Sequence, residues 1–153
     1  MNGLRILVAS TLTACAFSVS ASAAPSLRGT TTTTVTSDVV LRSHIADGNL
    51  ITDEALTAKL RGAFTGKSKY TLHVVAHGDG SRQGQGSGRF TGTVAGCGKV
   101  TLTFHTRFRV AVNGDIVGTS GSTGTSPVTY HNTFAGTTPS VTPSITETNT
   151  YRC

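Results

Sequence analysis

Arg107 and Arg109 stand two residues apart in the stretch 99–113, KVTLTFHTRFRVAVN, where apolar and polar residues alternate almost without interruption. On one face of a β-strand two such side chains lie about 7 Å apart. Each guanidinium can hold a carboxylate, phosphate or sulfate through paired hydrogen bonds, so the spacing suits successive charges along a polyanion. Lys99 and His105 fall on the same row, and Arg89 joins it from the preceding segment. Arg89, Lys99, His105, Arg107 and Arg109 are therefore the candidate ligand-binding residues, with an anionic polymer or head group as the partner.

Histidine beside a cation also carries the chemistry of a secreted ribonuclease-type phosphodiesterase, which needs a general base, a general acid and a positive charge on the phosphate. His73, His77 and His105 with Arg107 could supply these if the strand bearing His73 lies against the meander with its histidines on the polar face. His73 and His77 would not share a metal ion, because positions i and i+4 of a strand are about 13 Å apart. The run 78–88, GDGSRQGQGSG, reads as a flexible polar loop and lacks the Gly-Lys-Ser/Thr step of a phosphate cradle. No catalytic, cofactor or metal signature accompanies these residues, and none is expected.

The elements that must position them follow from period and composition. Even positions from Val100 to Val112 are apolar except Thr106, and odd positions carry the cations and hydroxyls, the mark of a half-buried strand. With 153 residues, 18 glycines, no tryptophan and 13% charged residues, the chain has one modest core and favours strands and turns. The formal charge of +6 is concentrated centrally: nine Lys or Arg lie between Lys59 and Arg109 against the single Asp79. That asymmetry fits polyanion binding and equally a solvated basic face.

Lys69–His77 reads as a strand with Tyr70, Leu72, Val74 and Ala76 on one face. A three-residue loop Gly96-Cys97-Gly98 would set Val94 against Val100 and Phe90 against Phe104, so that the apolar rows coincide. Asn113-Gly114 is a strong two-residue hairpin signal, which would set Gly118, Ser120 and Ser122 beside the arginines. Ala46–Asn49 is a further turn signal. Thr52 as N-cap, acids in the first turn and Gly62 after basic residues predict one short helix near 53–61, with strand alternation through Leu56, Ala58 and Leu60 as the rival reading. Phe64-Thr65-Gly66, Phe90-Thr91-Gly92 and Phe134-Ala135-Gly136 repeat one idiom suited to curved sheets, in which a ring covers a glycine. The segment 137–144, with Pro139 and Pro143, reads as a rigid connector.

At the N-terminus Arg5, the apolar run 6–19 and Ala21-Ser22-Ala23 form a secretory signal over residues 1–23, with lipid anchoring through Cys15 as the alternative. Residues 24–34 read as a flexible arm, and 35–153 as a single β domain with no membrane-spanning helix. In an oxidising compartment Cys97 and Cys153 would pair. The expectation is an exported all-β protein, a small antiparallel meander barrel or else a β-sandwich. Its expected role is binding an acidic ligand through the basic strand face, the alternative being a structural or interaction protein of the cell envelope.

Overall fold

The computed structural model describes residues 24–137 and 144–153, so the signal segment, Cys15 and most of the 137–144 connector lie outside the described residues. Eight strands run in chain order: β1 (Leu27–Ala46), β2 (Asn49–Gly62), β3 (Phe64–Ala76), β4 (Arg82–Val94), β5 (Gly98–Val110), β6 (Asp115–Thr123), β7 (Thr129–Thr137) and β8 (Ser144–Arg152). Each pairs antiparallel with the next, and β8 returns to β1, closing the sheet into a barrel. The seam runs from Leu27 against Tyr151 to Thr34 against Ser144. Closure leaves no free edge along that seam and sorts side chains into inward and outward rows, except in the second half of β1, where register shifts at Val35/Ser37 and Val40/Arg42 break the alternation and Val39, Val40, Leu41 and Ile45 are exposed.

The segment expected as a helix is β2. Leu56 and Ala58 are buried inside the barrel while Lys59 and Arg61 face solvent, and the strand's backbone is paired on both sides, to β1 and to β3. The two-residue period therefore prevails over the capping signals, and the Thr52 hydroxyl donates to the Glu54 side chain at 2.7 Å. The stretch 24–34 is likewise no arm from Leu27 onward, because Thr31–Thr34 are held between β2 and β8. Only the first part of the glycine run at 78–88 is loop: β4 begins at Arg82, with Gln83, Gln85 and Ser87 outward and Gly84, Gly86 and Gly88 inward.

Two registers differ from expectation. Across β4 and β5 Val94 pairs with Gly98, Phe90 with Leu102 and Gly88 with Phe104. The shift is two residues, so both apolar rows still face inward, and the Phe104 ring stands across from a glycine where a second ring would compete for the same space. Between β5 and β6 the turn occupies 111–114, with Ala111 N–H donating to Asp115 O at 2.8 Å and Gly114 at φ 88°. This moves the pairing by one, to Arg107 with Thr119 and Arg109 with Val117. Ser120 consequently lines the interior and Gly118 stands opposite Phe108, so neither is paired with an arginine as a two-residue loop would have made it. The turn at Asp47-Gly48 has positive φ at both positions (50° and 75°), the geometry that matches strand twist in a two-residue hairpin.

One end of the barrel is sealed. Phe64 makes ring contacts with Phe90, Tyr130 and Tyr151 at centroid separations of 5.6, 5.2 and 5.4 Å. Ala63, Val94, Leu102 and Val128 complete this floor. The sharp corner between β2 and β3 depends on Gly62 (φ 119°), where a Cβ would sit 2.3 Å from Thr30 O. Cys97 at the β4–β5 tip is bonded to Cys153 after β8, with Cα atoms 5.4 Å apart. As β4 and β8 are four strands apart in a ring of eight, the disulfide ties opposite walls together across the closed end.

Candidate functional site

Above the floor the inward rows do not meet, leaving a cavity of about 250 Å³. Glycines of β4 and β6 account for part of the space. At Gly84 a Cβ would lie 2.5 Å from the Phe108 ring, and at Gly118 2.2 Å from the Phe134 ring, so both rings occupy space that a side chain at the glycine would need. The walls are mostly apolar and aromatic, including Leu72, Val74, Phe104, Phe108, Tyr130 and Phe134, and the exposed Arg82 stands among the lining residues.

One sector of the wall is polar. On β7 the inward row reads Tyr130, Asn132, Phe134, and on β8 Ile145, Glu147, Asn149. Pairing sets Asn132 opposite Asn149 and Phe134 opposite Glu147, while β1 brings Thr31 opposite Glu147. The Thr33 hydroxyl donates to Glu147 Oε1 at 2.6 Å, and the Asn132 amide Nδ2 donates to Glu147 Oε2. Asn149 Nδ2 donates to Thr31 Oγ1 at 2.8 Å, and Thr31 Oγ1 also accepts from Phe64 N–H at 3.1 Å. Tyr130 and Ser120 hydroxyls are bonded to each other at 3.0 Å.

Two features of this sector are costly. Burial pushes the Glu147 carboxyl above its ordinary range, against the Thr33 hydrogen bond that favours the charged form. Among the described residues no Lys, Arg or His reaches it within ion-pair distance. Asn132 is 2% exposed, and its Oδ1 has no hydrogen-bond partner, an omission of the kind that costs about 1–3 kcal/mol in a folded protein. Burial likewise raises the phenols of Tyr70 and Tyr130 well above their usual value, so both stay protonated.

The residues singled out from sequence lie elsewhere. Arg89, Lys99, His105, Arg107 and Arg109 all face outward and are exposed. Arg107 and Arg109 border a shallow outer depression with His73, Gln83, Gln85 and Thr119. His73 is on the outer face beside β4, and Asp53 Oδ1 holds its Nδ1 at 2.8 Å. Reading across the strands, Gln85 separates His73 from Arg107, which puts their backbones two strand spacings, or about 10 Å, apart. His77 bonds Asn49 Oδ1 at 2.9 Å. Among the described residues no three His, Cys, Asp or Glu cluster as metal ligands.

The interior polar sector escaped the sequence reading because β7 and β8 alternate Thr and His with other polar residues and show no clean hydrophobic contrast. A signal was nevertheless present. Ile145 and Tyr151 share parity with Glu147 and Asn149, as Tyr130 and Phe134 do with Asn132, so apolar neighbours placed each of these polar groups on the inward row. The chain matches no protein-family model and no curated protein.

Proposed function

We propose that this is an exported binding protein that takes a small, largely apolar molecule into the barrel, with the ligand's polar end against Glu147 and Asn132. The observation that carries this reading is the unpartnered Asn132 Oδ1, buried beside a carboxyl in the wall of a mostly apolar cavity. A ligand donor there would recover the missing hydrogen bond, and rings and aliphatic groups would supply the contact area, the usual division of labour in a small-molecule pocket. The volume is slightly below the roughly 300–1,000 Å³ common for ligand pockets, which points to a compact ligand. Titration of 2-phenylethanol into the isotopically labelled protein tests the idea. Saturable amide shifts should concentrate on β7, β8 and β1 and disappear in Val74→Phe, which fills the cavity with a ring. Shifts scattered over outer loops, or unchanged by Val74→Phe, would refute it.

A second reading is supported by the outer depression that Arg107 and Arg109 share. There the protein would hold an acidic polymer of the cell envelope. Salt-sensitive retention on heparin, abolished in an Arg107→Glu/Arg109→Glu variant, is the expected result. Retention unaffected by that double reversal would dispose of this reading.

A further inference from the structure

Around Glu147 hydrogen-bond donors are already committed and acceptors are not. Thr33 Oγ1 and Asn132 Nδ2 both donate into the carboxyl, and Asn149 Nδ2 donates to Thr31. What remains is the spare acceptor capacity of the carboxylate and the unpartnered Asn132 Oδ1. A ligand fitting this wall must bring N–H or O–H groups, and more than one.

Charge narrows the choice further. Glu147 and Glu54 both line the cavity, and Arg82, which stands exposed, is the sole cationic residue among its lining residues. Aromatic faces surround the same sector: Phe134 lies directly across from Glu147 in the β7–β8 ladder, and Tyr130 packs on Phe64 at 5.2 Å. A ring face attracts a cation, and does so more strongly out of water. A buried carboxylate without a cationic partner gains most from a positive charge brought to it.

We propose that the ligand is a small primary amine bound as its ammonium, its three N–H groups shared between Glu147 and Asn132 Oδ1 and its apolar body lying among the cavity's aromatic rings. This rests on the interior cavity being a binding site at all. The chemistry distinguishes an ammonium from an alcohol of the same shape, which carries one donor and no charge, and from a carboxylate, which brings charge of the wrong sign.

The test compares 2-phenylethylamine, 2-phenylethanol and phenylacetate by calorimetry on the intact protein. At pH 8 the amine should bind at least tenfold more tightly than the alcohol, and phenylacetate should not bind. The amine's advantage should shrink as pH falls and Glu147 takes up a proton, while the alcohol's affinity stays level. The ionisable groups facing Glu147 are Tyr70 on β3, Tyr130 on β7, Glu54 on β2 and Arg82 on β4. Burial keeps both phenols protonated across that range, and Glu54→Gln serves as the control and should keep the pH effect. Glu147→Gln should bring the amine down to about the alcohol's affinity, and the variant's circular dichroism spectrum and thermal melt show independently that it is folded. An alcohol that binds as tightly as the amine, or an amine preference that survives Glu147→Gln, overturns the ammonium assignment while leaving the cavity reading intact. Absence of binding by all three overturns the cavity reading and this inference with it.

Discussion

Removing the Cys97–Cys153 bond with a Cys97→Ser/Cys153→Ser double substitution should lower stability mainly through the unfolded chain. The two residues are 56 apart in sequence, and cross-linking a loop of that length withholds about 4 kcal/mol of conformational freedom from the unfolded state in the chain-entropy model. In a domain of this size 1 kcal/mol at the midpoint is worth roughly 3–4 °C, so thermal unfolding followed by circular dichroism should move down by about 12–16 °C. The native barrel should stay intact below that point, because the β1–β8 seam and the aromatic floor close it independently of the sulfurs. Ligand binding at 25 °C should persist, since neither cysteine is among the cavity's lining residues. A midpoint lowered by less than about 3 °C would refute the reasoning. So would an unfolded spectrum at room temperature, which would mean that the disulfide holds the floor together directly.

Glu147 should make the protein more stable in acid than at neutral pH. Its folded-state pKa is raised, so the contribution is complete below the unfolded value and is lost as pH rises through the folded one, at about 1.4 kcal/mol per unit of displacement. The difference between denaturant-melt stabilities of wild type and Glu147→Gln should widen with pH in that direction, and a flat difference would count against burial of the charge. Gly118→Ala should cost about 1–3 kcal/mol by overpacking, because its Cβ would meet the Phe134 ring at 2.2 Å and the fixed Arg107 carbonyl at 2.5 Å. Chemical denaturation measures it, and a neutral result would show that Phe134 swings freely. Phe64→Ala should cost roughly 3–5 kcal/mol, as Phe64 is 4% exposed and touches three other rings of the floor. A loss below 1 kcal/mol on the same assay would mean that the floor rearranges around the gap.

Sidedness was legible in the chain itself. From Lys99 to Val110 the two-residue period fixes which side chains enter a core, because the pleat allows no other arrangement, and the structure keeps every one of those assignments. The pairing of Cys97 with Cys153 and the turn at Ala46–Asn49 were equally local or combinatorial inferences, while the strand that follows the turn was not. Register was less accessible. It depends on how many residues each turn holds, as the four-residue turn at 111–114 shows by carrying Ser120 into the interior and leaving Thr119 beside Arg107. Segment 53–61 carried both helical capping signals and strand alternation, and pairing with strands on either side settled the matter.

The site belongs to tertiary structure. Thr31, Thr33, Asn132, Glu147 and Asn149 come from three strands, one at the start of the domain and two at its end, and they meet only because β8 pairs with β1. In Thr-rich strands with little hydrophobic contrast, the sequence assigns polar groups weakly to either face, and ring closure commits them to the inside. Closure also sends the five basic candidates outward and opens the interior, for the convex surface of a small barrel is wet and its concave side is where water can be displaced.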